Sequence, residues 1–149
     1  MYFIDRKRIS GTLEKMESLL ILYKNGNGWI EDEIHELALE RIAHVIIESI
    51  IDVGNSMIDG FIMRDPGSYE DIIDIMEDER VITSEMAQPL KQVIELRKMI
   101  VREFTEVDHQ QVDGVLTVTF DALREFPKRV QYYLENELGP VSAFLPETE

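Results

Sequence analysis

The sequence has no cysteine, which removes disulfides, thiolate metal sites and cysteine nucleophiles and fits a reducing compartment. It also lacks any apolar run of the about 18–20 residues that a membrane span requires. Its longest near-apolar stretch, Leu37 to Met63, is interrupted by Glu40, Arg41, His44, Glu48, Asp52, Asn55 and Asp59. The amino terminus places Tyr2, Phe3 and Ile4 ahead of Arg6 and Lys7 and offers no small-residue cleavage site. No secretory signal is therefore expected, and a cytoplasmic location is. Bases are scarce: 15 Lys and Arg stand against 30 Asp and Glu, a net charge of −15. Such a chain repels polyanions at long range, whereas a general nucleic-acid binder needs many basic phosphate contacts. Positive charge clusters at Arg6-Lys7-Arg8 and Lys128-Arg129. Extended nucleic-acid binding is thus disfavoured, while a small site engaging one phosphate is not.

What is present suffices for one domain spanning residues 1–149, with 44% apolar residues to fill a core. Asp5 reads as a helix cap, followed by Ile9, Leu13, Met16, Leu20 and Tyr23 at helical spacing. Asn25-Gly26-Asn27-Gly28 ends that helix. From Glu31 to Met63 there is no proline, which predicts a single helix about 50 Å long at 1.5 Å rise per residue. Its early inward face is expected to be Ile34, Leu37 and Ala38. Continued, that face becomes Arg41, His44, Glu48, Asp52, Asn55 and Asp59, while Ile42, Ile46, Ile50, Val53, Met57 and Phe61 line the opposite side. A helix apolar on one face early and on the other later should meet two neighbours, a bundle and a second subunit.

Ser68 and Asp71 predict a capped short helix bearing Ile72, Ile73, Ile75 and Met76. Thr83 should cap the next helix, with a kink or restart at Pro89. Its inner line should run Leu90, Val93 or Ile94, Arg97, Ile100 or Val101, and Phe104. Asp108 and Gln111 form another capping pair, opening a last helical stretch kinked near Pro127 and closed by Gly139-Pro140. Residues 115–120 have strand-like composition, but with no second strand to pair with they read as helix. The expected fold is all-α, an antiparallel up-and-down bundle of about five helices.

Three histidines are scattered along the chain, and neither a metal site nor a cofactor site is expected. His35 and His109 lie in acidic contexts expected to be exposed; His44, one turn before Glu48, allows a hydrogen-bonded pair. Buried charge needs partners, so the stripe Arg41, Glu48, Asp52 and Asn55 is expected to form a cleft network with Arg97 and Arg102. Arg97 stands out because its helical neighbours in line are apolar, an unusual place for a charge that neither pairs nor lines a cleft.

Leu96-Arg97-Lys98-Met99-Ile100-Val101-Arg102-Glu103-Phe104, with Val107-Asp108 beyond it, resembles the motif of the HepT-like family: Arg, four to six residues, His, any residue, Tyr. The 60–69 segment, Gly60-Phe61-Ile62-Met63-Arg64-Asp65-Pro66-Gly67-Ser68-Tyr69, and the ending from Phe126-Pro127-Lys128-Arg129 onward are similar to its YutE-like branch. The resemblance implies a homodimer of ribonuclease-type toxin class. It also implies a minimal nucleotidyltransferase as antitoxin partner, which silences such toxins by attaching AMP to the motif tyrosine. Motif arginine and histidine are implicated in RNA cleavage, which makes Arg97 and Arg102 the candidate catalytic pair. Here, however, Arg102 occupies the histidine position and Phe104 the tyrosine position. Arginine stays protonated and cannot act as a near-neutral base, and Phe104 has no hydroxyl to carry AMP. Three readings are open: a ribonuclease toxin with a rebuilt site for RNA at a small cleft, a catalytically silent dimeric module binding a protein partner or nucleotide, and a structural dimer.

Overall fold

The computed structural model describes residues 4–138, and among them the chain forms six α-helices and one π turn. Asp5 accepts from the Arg8 backbone N–H at 3.0 Å and opens α1 (Arg6–Asn25), whose buried line is Ile9, Leu13, Met16, Leu20 and Tyr23, as the periodicity predicts. Asp32 accepts from the His35 N–H and opens α2 (Glu33–Gly60), 28 residues long. Helix α2 is central: it packs against α1, α3 (Tyr69–Asp78), α4 (Ser84–Arg97) and α5 (His109–Val118).

The buried face of α2 is continuous, from Leu39 through Ile42, Ile46, Ile50, Val53 and Met57. This corrects the expected inward face at its start. Ile34 is 78% exposed and Leu37 58%, and Ala38 is exposed as well. At about 100° per residue these three share a side with Arg41 and His44, so the outer face is apolar early and polar later, while the inner face never switches. Tight approach of α3 needs Gly54, where an added Cβ would lie 2.4 Å from Ile72 Cγ2.

Ser68 accepts from the Asp71 N–H and opens α3, which buries Ile72, Ile73, Ile75 and Met76. The turn before it is held by Asp71, which accepts from Arg64 at 2.8 and 3.0 Å and from the Gly67 N–H at 2.8 Å. Thr83 stands at the head of α4, but its hydroxyl makes no capping bond. Helix α4 runs through Pro89 without a restart. The missing N–H falls opposite the exposed first turn, where water can serve the freed carbonyl.

The chain then enters a π turn, Lys98–Arg102, in which the Glu103 N–H donates to the Lys98 carbonyl at 3.1 Å. A π turn inserts an extra residue and rotates the residues beyond it about the helix axis. The expected inner line therefore fails beyond Ile100: Phe104 is 66% exposed. Asp108 opens α5 by accepting from the Gln111 N–H at 3.1 Å, and residues 115–118 are helical, as expected. The last stretch breaks at Thr119, not at Pro127. Thr119 is buried and its hydroxyl donates to the Val115 carbonyl at 2.7 Å, and α6 (Phe120–Leu138) passes through Pro127. That break makes six helices of the expected five or so. The expected closure at Gly139-Pro140 lies outside the described residues.

Tyr23 ties α1 to α5. Its hydroxyl donates to Asp113 Oδ1 at 2.5 Å and meets Thr117 Oγ1 at 2.8 Å. Burial, and then the bond to Asp113, pushes the phenol up to about 12. A raised folded pKa means stability that is intact below the ordinary tyrosine value and lost as pH climbs through the folded one. Melting temperature should fall between pH 10 and about 12, and Tyr23→Phe should flatten that fall while costing about 1 kcal/mol at neutral pH. An alkaline melting series on both proteins checks this.

Candidate functional site

The outward stripe of α2 carries Arg41, His44, Glu48, Asp52 and Asn55, and Glu48 is its hub. Arg97, the last residue of α4 before the π turn, donates from Nε to Glu48 Oε2 at 2.7 Å. Its guanidinium lies over the Tyr69 ring, 4.7 Å from the centroid. The Glu48 bond keeps Arg97 still more firmly protonated than a free arginine. His44 Nε2 stands 3.9 Å from the same Glu48 oxygen, beyond hydrogen-bond length, so the expected His44–Glu48 bond is instead a looser electrostatic contact.

The rest of the expected network is divided differently. Asp52 is gripped by Arg8, whose Nε and Nη2 donate to its two oxygens at 3.2 and 3.0 Å, in a fork-to-fork pairing. Arg102 is exposed and makes no hydrogen bond or ion pair among the described residues. Arg97 and Arg102 are thus not joined in one network, because the π turn carries Arg102 outward while Arg97 is held on Glu48. Phe104, Arg41 and Asn55 are all exposed.

Between α1 and α2 lies an open groove of about 630 Å³, lined by Lys7, Arg8, Lys15, Arg41 and His44, with Glu48 and Asp52 among them. Lys7, Lys15 and Arg41 form no ion pair among the described residues. Gly11 floors this stretch of α1, with nothing within 4 Å of where a Cβ would be. The basic cluster at 6–8 is plain in the sequence, whereas Lys15 stands apart from it and is easily missed. The signal that joins them is Lys7, Gly11 and Lys15 at i, i+4 and i+8, one face of a helix.

Of the other histidines, His35 bonds Asp32 near the surface, as expected. His109 does not fit the exposed role: its side chain is 19% exposed, bonded through Nε2 to Glu40, with Nδ1 3.8 Å from Glu36. It fastens the start of α5 to α2. No cluster of metal-ligating side chains occurs among the described residues, and no described helix is long and apolar enough to cross a membrane.

In this chain a helical bundle carries an arginine at the end of its fourth helix, held by a carboxylate of the long second helix. The ribonuclease HepT-like family model matches residues 9–130, and the chain belongs to that family. It is similar to the protein named "Putative RNase YutE" of Bacillus subtilis (strain 168), with 50% identity over 97% of this chain and 99% of that one. The solved structure of B. subtilis YutE, a cytosolic protein, superposes with a TM-score of 0.92 over 97% of this chain and 100% of that one. A tri-AMPylated Shewanella oneidensis HEPN toxin, solved in complex with MNT antitoxin, shares the fold at a TM-score of 0.71 and 18% identity, over 89% and 99% of the two chains.

Glu48 is 43% exposed at its side chain and Arg97 23%, so solvent screens their pairing. Glu48→Ala should lower the unfolding free energy by about 1 kcal/mol or less. Urea unfolding measures it, and a loss of several kcal/mol would mean that the pair is a structural keystone.

Proposed function

We propose that this protein is a HepT-like ribonuclease of toxin–antitoxin type that works as a homodimer and engages an RNA backbone phosphate at the groove between α1 and α2. The observation that carries this reading is the local reversal of charge. A chain of net charge −15 gathers Lys7, Arg8, Lys15 and Arg41 on one groove. That groove opens onto Glu48, the carboxylate that holds motif Arg97. Such a groove concentrates one phosphate-bearing strand without making the protein a general polyanion binder.

A partner of nucleotidyltransferase kind is supported by the fold neighbours solved with their antitoxins. Phe104, exposed and without a hydroxyl, is not the acceptor of an AMP group here. One specific observation favours a second reading, that of a catalytically silent dimeric module. The second half of the motif, Arg102 and Phe104, faces solvent and builds no site.

The homodimer is supported by the outer face of α2, where Ile34 and Leu37 are exposed immediately before the polar stripe. A second copy covering that face would remove from water two large side chains, worth up to ~1.5–3 kcal/mol each. Light scattering at micromolar concentration should give a dimer mass, and Leu37→Asp should give a monomer of unchanged helicity. A monomeric wild type would contradict the dimer.

The activity test uses bulk RNA and tRNA with the purified protein, and Arg97→Ala prepared identically. Cleavage by wild type with loss of about 100-fold or more in the variant is the expected outcome, the scale of removing a group that stabilises developing charge. RNA binding without cleavage by either protein would replace this reading with the silent module.

A further inference from the structure

The three motif positions of this chain offer no group able to take a proton: Arg97 and Arg102 stay charged, and Phe104 is a hydrocarbon. The fold, however, places an imidazole beside Arg97 from a different helix. Arg97 Nε and His44 Nε2 approach the same atom, Glu48 Oε2, at 2.7 and 3.9 Å. Glu48 therefore bridges a guanidinium from α4 to an imidazole from α2. The spacing in sequence produces this. His44 and Glu48 are one helical turn apart on the stripe that α2 cannot bury, so both project to the same side. His44 is half-buried and lines the groove together with Lys7, Lys15 and Arg41.

We propose that His44 is the general base of RNA cleavage in this protein, supplying from α2 the proton-accepting group that the motif on α4 lacks. This rests on the ribonuclease reading above and assigns its missing chemistry. The backbone phosphate sits among Lys7, Lys15 and Arg41, and the adjoining ribose presents its 2′-hydroxyl to His44 Nε2. His44 removes the proton as the 2′-oxygen attacks phosphorus. The new P–O2′ bond forms, the P–O5′ bond breaks, and the departing 5′-oxygen takes up a proton from the imidazolium or from water. The products are a 2′,3′-cyclic phosphate and a 5′-hydroxyl end, with no oxidant, reductant or further reactant consumed. An imidazole suits the task because it accepts and returns a proton near neutrality. Glu48 is a positioning residue, holding Arg97 directly and orienting the imidazole. The 3.9 Å separation is that of the free protein, and such contacts tighten when substrate binds.

The charged groups that line the groove with the imidazole are Lys7, Arg8 and Lys15 from α1 and Arg41, Glu48 and Asp52 from α2, with Arg97 of α4 across Glu48. A phosphate arriving among the cations would leave Glu48 as the neighbouring acceptor for the imidazolium formed in the step.

The test uses the full-length protein and a mixed-sequence oligoribonucleotide, with the DNA oligonucleotide of the same sequence as control. Wild type, His44→Gln and Glu48→Gln are compared for kcat, for RNA affinity and for the pH profile, with circular dichroism to establish folding. Expected for wild type is cleavage of RNA but not of DNA, a cyclic-phosphate product and an acidic limb in the pH profile. His44→Gln should lower kcat by about 100-fold or more, leave affinity within about twofold and abolish that limb. Glu48→Gln should lower kcat less and keep the limb. If wild type cleaves and His44→Gln cleaves within about threefold of it, His44 is not the base, and the ribonuclease reading stands without it. If wild type binds RNA and leaves it intact, the ribonuclease reading and this inference fall together, and the silent module remains.

Discussion

Helix α2 buries one unbroken face from Leu39 to Ile58 against four other helices, and this constraint decides where every polar group near the site must lie. With 3.6 residues per turn, a continuous inner stripe forces a continuous outer one. Arg41, His44, Glu48, Asp52 and Asn55 have no choice but to face away from the core. Flanking helices then claim the stripe from its two sides. Arg8 of α1 takes Asp52, and Arg97 of α4 takes Glu48, with Tyr69 of α3 closing over the Arg97 guanidinium. The stripe is not a solvated face of the ordinary kind, because α1, α3 and α4 each contribute a side chain to it.

Charge separation at short range reconciles an acidic protein with a phosphate site. At physiological salt the Debye length is about 8 Å, so most of the net −15 is screened from the groove. What a phosphate would meet there is local: lysines and arginines from α1 and α2, with Glu48 and Asp52 partly neutralised by Arg97 and Arg8. Those two pairs matter less for stability than for leaving Lys7, Lys15 and Arg41 as the groove's uncommitted cations.

Most of the fold is legible from local chemistry. Asp5, Ser68 and Asp108 each cap the helix that the sequence suggests, and the single long α2 is a consequence of the absence of proline between Glu31 and Met63. Where local rules fail, a tertiary effect overrides them. Pro127 suggests a break that belongs instead to Thr119, whose buried hydroxyl takes the Val115 carbonyl. The line from Arg97 to Phe104 assumes α periodicity, which the π turn interrupts, so the expected pairing of Arg97 with Arg102 dissolves. The Arg97–Glu48 pair is foreseeable, since a charge in an apolar line needs a partner. That Glu48 also faces His44 is local, one turn apart on α2, whereas Lys15 joins the groove only through the way α1 lies against α2, which no single helix encodes.

The groove between α1 and α2 is, on this view, a phosphate site built on three uncommitted cations. The most direct test is the affinity of a short single-stranded RNA, measured as a function of salt. Each phosphate neutralised on a single strand contributes about −0.7 to the slope of log K against log salt. One phosphate held jointly by Lys7, Lys15 and Arg41 therefore predicts a slope of about −0.7, and a weaker affinity at every salt concentration when Lys15 is changed to alanine. Binding with no salt dependence, or an affinity indifferent to Lys15, would contradict the phosphate site and move the search to another face of the molecule.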